Sequence, residues 1–196
     1  MNAGSLITLE GIDGCGKTTQ LPAIAEALGQ SGRDVLETRE PTDGAWGQRI
    51  RSMARSGELV APQEELRWFV EDRREHVEQV IAPALARGQV VVCDRYFLSS
   101  VAYQGARGLD WEAILDESER TFPRPDLALI FELSPARALE RVRARAGTPE
   151  PAFEREPYLE RVAAIFAAVE RPYVRRIDGS GPPEVVRQAA LAVLPD

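Results

Sequence analysis

The sequence predicts a three-layer α/β sandwich, a five-stranded parallel sheet with helices on both faces, and three observations carry that expectation. Short apolar runs alternate with amphipathic stretches along the whole 196-residue chain, the pattern of strands joined by crossover helices. The first run, Leu6-Ile7-Thr8-Leu9, leads into Gly11-Ile12-Asp13-Gly14-Cys15-Gly16-Lys17-Thr18-Thr19, which fits G-x-x-x-x-G-K-[ST] and opens the next helical stretch. A hydrophobic content of 44% against 28% charged residues is that of an ordinary globular domain with a sizeable core. The chain is therefore expected to form one P-loop NTPase-type domain over 1–196.

Strands are expected at 5–10, 34–38, 89–94, 127–133 and 174–178. Helices are expected near 17–30, 45–56, 62–87, 98–105, 110–121, 135–146, 156–170 and 183–193. Gly29 and Gly32 stop the first helix, Gly88 the third and Gly147 a later one. Repeats and low-complexity tracts are absent, and the one break in pattern, Ala146 to Ala152, lies between two helices as a candidate lid over about 143–158.

Charge and composition exclude several classes of function. A net charge of −7 argues against a general binder of nucleic acid or of anionic membrane surfaces, so any anion site must be a local gathering of arginines. No apolar run approaches membrane-spanning length, and the N-terminus enters its first strand without a leader. Cys15 and Cys93 lack metal-ligand spacing, and a cytoplasmic protein with free thiols is expected.

The glycine-rich stretch carries the first chemistry. Its glycines let the backbone wrap an anion, the following helix N-terminus adds partial positive charge, Lys17 adds a mobile ammonium, and Thr18 a hydroxyl for magnesium. Lys17 is the chain's one lysine among 24 basic side chains. It stands where a compact ammonium and a planar guanidinium are not interchangeable.

The strand ends carry the rest, because ligands of open parallel sheets sit beyond the carboxyl ends of the strands. The second strand runs into Thr38-Arg39-Glu40-Pro41, and the third, Val90 to Cys93, ends in Asp94-Arg95-Tyr96. An apolar run closing on an aspartate is how a magnesium-holding acid is presented in P-loop enzymes, which makes Asp94 a metal candidate with Thr18. On the helix at 62–87, Phe69 and Arg73 are spaced i, i+4 and share a face beside a core stripe of Leu66, Val70, Val77, Val80 or Ile81, and Leu85. An aromatic beside an arginine suits a base near its phosphate, but on the helix alone Phe69 reads as core and Glu71 to Glu75 as a solvated charge run. His76 reads as surface or structural. Arg137, Arg141 and Arg145 repeat at i, i+4 and i+8 with Arg143 between them, a strained like-charge row that makes sense where an anion arrives before the lid.

With these residues in place the chain resembles the thymidylate kinase family. The stretches that carry the resemblance are LEGIDGCGKTTQ (9–20), TREP (38–41), RWFVEDRREHVEQVIAPAL (67–85), CDRYFLSSVAYQG (93–105) and FPRPDL (122–127). The resemblance implies a homodimeric enzyme that makes dTDP from dTMP and ATP with Mg2+. It implies that Gly11 to Thr19, with Arg141, hold the ATP and that Thr18 contacts the metal. Asp13 would reach the deoxyribose 3′-hydroxyl, Phe69 would stack on thymine, and Arg39, Arg73 and Arg95 would surround the acceptor phosphate. Tyr103 would lie against the sugar, with Ser99, Ser100 and Gln104 lining the base pocket. Family members place a catalytic arginine either in the phosphate loop or in the lid. Gly14-Cys15 occupies the loop here, so Arg145, then Arg143, is assigned that role beside Lys17 and Arg95. The lid departs from many relatives in having Pro151-Ala152 before Phe153-Glu154.

Two other activities fit a P-loop. A nucleoside kinase would need an acid poised as general base, whereas arginines around the acceptor suit one that already bears phosphate. A nucleotide switch is the other; a guanine-reading N-K-x-D motif is excluded, because the one lysine is Lys17, which leaves an ATP-dependent switch. Another nucleoside-monophosphate kinase is the remaining alternative.

Overall fold

The computed structural model describes residues 4–146 and 156–194. The five strands are β1 (Ser5–Glu10), β2 (Val35–Arg39), β3 (Val90–Asp94), β4 (Leu127–Glu132) and β5 (Val174–Asp178). They form one sheet in the order β2-β3-β1-β4-β5, and every pairing is parallel. Val90 to Cys93 and Leu127 to Phe131 are buried without alternation, as parallel strands covered on both faces must be. The register sets Leu9 and Arg39 opposite Asp94, so three strands finish level with one another.

The helices are α1 (Lys17–Gln30), α2 (Ala45–Ser56), α3 (Pro62–His76), α4 (Ala82–Ala86), α5 (Phe97–Ala106), α6 (Trp111–Thr121), α7 (Pro135–Ala146), α8 (Glu156–Ala168) and α9 (Pro183–Leu191). α5 packs among α3, α6 and α8, while α1 packs with α9 and the β2–β3 side of the sheet. Asp126 starts the sheet from below, its Oδ2 accepting the Leu6 N–H at 2.8 Å.

The helix expected over 62–87 is not continuous: a π-helical turn, Val77–Ile81, separates α3 from α4. Pro83 has no N–H to return to the preceding turn, and the wider turn absorbs that missing bond. The face α3 buries also differs from the apolar stripe read from spacing. Leu66, Val70 and Val77 are half-buried, whereas Glu65, Trp68, Asp72, Arg73 and His76 are buried. The polar side chains turn inward because each finds a partner there. Asp72 accepts from the Thr42 N–H and hydroxyl at 2.8 and 2.6 Å. His76 is accordingly not a surface residue: it is 3% exposed, 3.1 Å from Glu40 Oε1 and 2.7 Å from Thr38 Oγ1.

The phosphate loop is packed on both sides. Gly11 and Gly14 have φ of 130° and 83°, and a Cβ on them would lie 2.6 Å from the Phe131 carbonyl oxygen and 2.3 Å from that of Ala138. Only glycine meets both demands. The loop is thereby pressed against α7, the helix that carries Arg137, Arg141, Arg143 and Arg145.

Candidate active site

The loop between β1 and α1 is held by its own contacts. Lys17, 5% exposed, folds its Nζ onto the Gly11 and Ile12 carbonyl oxygens at 3.0 Å each and lies 3.7 Å from Cys15 Sγ. Gly16 stands in the left-handed region at φ 114°, and no side chain caps the N-terminus of α1, the end where backbone N–H groups can receive an anion. Thr18 Oγ1 donates to Asp94 Oδ2 at 3.2 Å, which brings the two expected metal ligands together. Asp94 Oδ1 is buried with no partner among the described residues. A hydroxyl beside an under-satisfied carboxylate fits a hard divalent cation whose other ligands are water and phosphate oxygens. Among the described residues no cluster of three or more His, Cys, Asp or Glu side chains forms a self-sufficient metal cage.

Arg95 is the junction of the site. It is the one described non-glycine residue with positive φ, 70°, in the turn from β3 to α5. Its Nη1 donates to Gly11 O at 3.2 Å and Ser99 Oγ at 3.1 Å; its Nη2 donates to Asp13 Oδ1 at 2.7 Å. Tyr103 hydroxyl lies 3.2 Å from Asp13 Oδ2, and its ring lies 5.1 Å from the Arg95 guanidinium carbon. Burial works against the Asp13 charge, but Arg95, Lys17 and the hydrogen bonds from Arg95 and Tyr103 outweigh it and hold its pKa down at about 2. Such a carboxylate is ionised at neutral pH and is a poor proton acceptor.

Glu10, which the sequence reading passed over, holds the Arg95 turn in place. It is fully buried, and its two oxygens accept the Tyr96 N–H at 3.0 Å and the Ser99 hydroxyl at 2.7 Å, one residue and four residues beyond Arg95. Burial raises its pKa from 4.5 to about 7, against the lowering effect of Ser99, Arg95 and Arg73. The folded protein therefore binds a proton that the unfolded chain releases, and stability falls as pH rises from about 4.5 to about 7. Glu10→Gln is expected to remove about 3 kcal/mol of that fall, by the conversion of a pKa shift to free energy. Urea denaturation of both proteins at pH 5 and pH 8 measures the difference in slope.

Beyond Arg95 lies a cavity of about 300 Å3 lined by Asp13, Arg39, Glu40, Pro41, Ile50, Arg51, Ala54, Phe69, Arg95, Ser99, Ser100, Tyr103 and Gln104. α5 supplies four of these side chains at i, i+1, i+4 and i+5, one face of a helix. The volume is at the small end of ligand sites and suits one mononucleotide. A second cavity of about 340 Å3, on the other flank of the loop, is lined by Gly14, Cys15, Gly16, Thr19 and Gln20 with Arg141, Ala144, Gly179, Gly181, Pro183 and Val186. A small pocket bounded by Asp13, Lys17, Thr18, Arg39, Asp94 and Arg95 adjoins the loop on the Arg95 side. A larger cleft of about 580 Å3 between α1 and α3 shares Thr18, Arg39 and Asp94 with that pocket and adds Glu37, Asp43, Glu75 and His76.

The structure thus brings Asp13, Lys17, Thr18, Arg39, Asp94 and Arg95 together, with Phe69, Ser99, Ser100, Tyr103 and Gln104 around the first cavity. Arg73 is set apart. It is 1% exposed, its Nε donates to Glu40 Oε2 at 2.9 Å and its Nη2 to Ser100 Oγ at 3.0 Å, and it is not a wall of the cavity. Its Nη1 has no partner among the described residues. Arg51, absent from the sequence-based set, does line the cavity, with Nη1 on the Pro41 carbonyl at 2.9 Å and Nη2 3.0 Å from Asp43. The same Asp43 holds Arg39 at 3.1 Å, so two arginines stand at the cavity rim on one exposed carboxylate. The signal for Arg51 was its place one helical turn beyond Gly47, after the TREP stretch, but nothing local distinguishes it from Arg49 or Arg55.

On α7, Arg141 lines the second cavity and Arg143 is exposed. The side chain of Arg145 and residues 147–155, most of the candidate lid, lie outside the described residues. Tyr158, at the start of α8, donates to the Tyr103 carbonyl at 2.8 Å. No helix among the described residues is long and apolar enough to cross a membrane.

The family model for thymidylate kinase matches residues 9–190. The thymidylate kinase of Xanthomonas campestris pv. campestris (strain B100) is 49% identical over 191 residues, covering 97% of this chain and 83% of that protein. That of Desulfotalea psychrophila is 43% identical over 177 residues, covering 90% and 87%. The crystal structure of thymidylate kinase from Ehrlichia chaffeensis superposes with a TM-score of 0.78 at 26% identity, covering 97% of this chain and 98% of the other.

Proposed function

Since the chain belongs to the thymidylate kinase family and is an ATP:dTMP phosphotransferase, we propose that its two cavities divide the reaction at the phosphate loop, with ATP entering from the α7 side and dTMP from the α5 side. The observation that carries this division is that one nine-residue loop supplies walls to both cavities, Cys15 and Gly16 to one and Asp13 to the other.

On the donor side, the loop N–H groups and Lys17 bind the ATP phosphates, and Arg141 borders the nucleoside. Lys17 exchanges the loop carbonyls for phosphate oxygens, so its charge is positioned before the nucleotide arrives. Thr18 and Asp94 hold Mg2+, which when bound neutralises charge on the phosphate oxygens. On the acceptor side, thymine stacks on Phe69 between Ser100 and Gln104. Asp13 accepts from the deoxyribose 3′-hydroxyl, and Tyr103 closes the space beside the sugar. Arg95 and Arg39, joined by Arg51, neutralise the acceptor phosphate; Arg73 supports them from behind through Glu40 and Ser100.

The acceptor needs no strong base. A phosphate monoester has a second pKa near 6 and is largely ionised at neutral pH, and Asp13, at about 2, could not take a proton from it. The difficulty is to bring two anions into line and to stabilise the transferred phosphoryl group, a matter of placed cations. Lys17 serves from the loop, and Arg145, with Arg143 as second choice, serves from the lid. Assembly as a homodimer belongs to the same proposal. Leu66, Val70 and Val77 of α3, half-buried in one chain, offer apolar surface for it, and sedimentation measures it.

The test is a coupled ADP-release assay across the nucleoside monophosphates. dTMP is expected to be the best acceptor by kcat/KM. A purine monophosphate that outperforms it would overturn the assignment of the α5 cavity to thymine.

A further inference from the structure

Gln104 is a wall of the α5 cavity, and its amide orientation is not left to chance. Its Nε2 donates to Glu65 Oε1 at 2.6 Å, across from α5 to α3. Glu65 is fully buried, and its other oxygen accepts from Arg107 Nη1. Arg107 is in turn fixed by an Nη2 bond to the Val60 carbonyl at 2.7 Å. A guanidinium only donates, and a carboxylate paired with it only accepts. The amide nitrogen of Gln104 must therefore face Glu65, and its oxygen must face away. That oxygen is buried and has no partner among the described residues. A buried acceptor left unsatisfied beside a ligand cavity favours a ligand that brings a donor.

Resting on the dTMP reading above, we propose that Glu65 is a positioning residue for base selection: it fixes the Gln104 amide with its oxygen available to the cavity, so that the site selects a pyrimidine bearing N–H at position 3. Thymine and uracil carry that donor. Cytosine has a bare acceptor nitrogen there, which would meet the amide oxygen lone pair to lone pair. Glu65 thus separates diketo pyrimidines from cytosine and leaves the distinction between thymine and uracil to other residues.

Glu65→Gln supplies a test with a directional outcome. Arg107 can only donate, so the new side chain must turn its oxygen to Arg107 and its NH2 towards Gln104. Gln104 then reverses, offering its oxygen to residue 65 and its NH2 to the cavity. The dTMP-to-dCMP ratio of kcat/KM is expected to fall at least about tenfold, since a site that hydrogen-bonds its substrate discriminates strongly against the analogue lacking the group. dUMP is expected to follow dTMP, because it carries the same N–H. A merely structural role would lower all three by a common factor, and that result would overturn the inference while leaving dTMP phosphorylation by the unaltered enzyme intact. Failure of the unaltered enzyme to phosphorylate dTMP would instead overturn the reading beneath it. A measurement on the unaltered enzyme covers the case in which the variant does not fold. N3-methyl-dTMP, lacking the donor, is expected to bind at least about tenfold more weakly than dTMP, and equal binding would contradict the proposal.

Discussion

Arg145→Ala is expected to lower turnover of dTMP about a thousandfold, the scale of arginine-finger losses, while the dissociation constant of dTMP changes by no more than a few-fold. The reasoning starts from the phosphate loop. Charge spreads over the transferred phosphoryl group as it leaves ATP, and the loop answers with Lys17 and backbone N–H groups alone, because it carries Gly14-Cys15 and no arginine. The acceptor arginines are already committed: Arg95 is held by Asp13, Gly11 and Ser99, and Arg39 by Asp43. A cation for the transferred group must come from elsewhere, and α7, packed on Gly14 through the Ala138 carbonyl, delivers Arg141, Arg143 and Arg145 towards the lid. An interaction made only in the transition state lowers kcat and kcat/KM together and leaves ground-state binding alone. Isothermal titration with dTMP and steady-state turnover separate the two; an unchanged kcat would move the role to Arg143.

The second large effect is expected of Arg95→Ala. Removing this side chain takes away an acceptor cation and also leaves Asp13 as an unpaired carboxylate next to an incoming phosphate. Truncating one partner of a buried, hydrogen-bonded charge pair in a binding site costs about 2–5 kcal/mol, equivalent to factors of about 30 to several thousand. Because the Asp13–Arg95 pair is partly open, with side chains 42% and 16% exposed, the lower part of that range applies. kcat/KM for dTMP is therefore expected to fall at least about thirtyfold, whereas ATP affinity, measured by binding in the absence of dTMP, is unchanged. A comparable loss of ATP affinity would show that Arg95 serves the donor instead. Arg95→Lys is not a conservative control, since a lysine cannot reach Gly11, Ser99 and Asp13 at once from one planar fork.

How much of this was legible in the sequence depended on how local each signal was. The phosphate loop, the aspartate that ends β3 and the glycines at 32 and 88 are set by a few neighbouring residues, and they stand where the pattern put them; Gly29 lies inside α1, and Gly147 lies outside the described residues. The resemblance to thymidylate kinases added Phe69, Ser99, Ser100, Tyr103 and Gln104, which the structure gathers around one cavity. What spacing could not supply was the set of buried polar partners. Asp72 falls in what reads as a solvated charge run and Glu65 carries no signal at all, yet both are buried, because their partners arrive from residues about 30 to 40 positions away. The same blindness made His76 look peripheral and Arg73 look like a cation facing the ligand. Glu10 was hidden differently. It sits within a motif whose glycines and lysine draw the eye, and its work, fixing the turn after β3, is visible only once Tyr96 and Ser99 are beside it.

The cations opposite the phosphate loop are expected to receive a phosphate and not a hydroxyl. Thymidine and dTMP, offered separately with ATP and with the products identified by chromatography, test it most directly. The expected result is dTDP from dTMP and no dTMP from thymidine above background; phosphorylation of thymidine at a rate comparable with dTMP would contradict it.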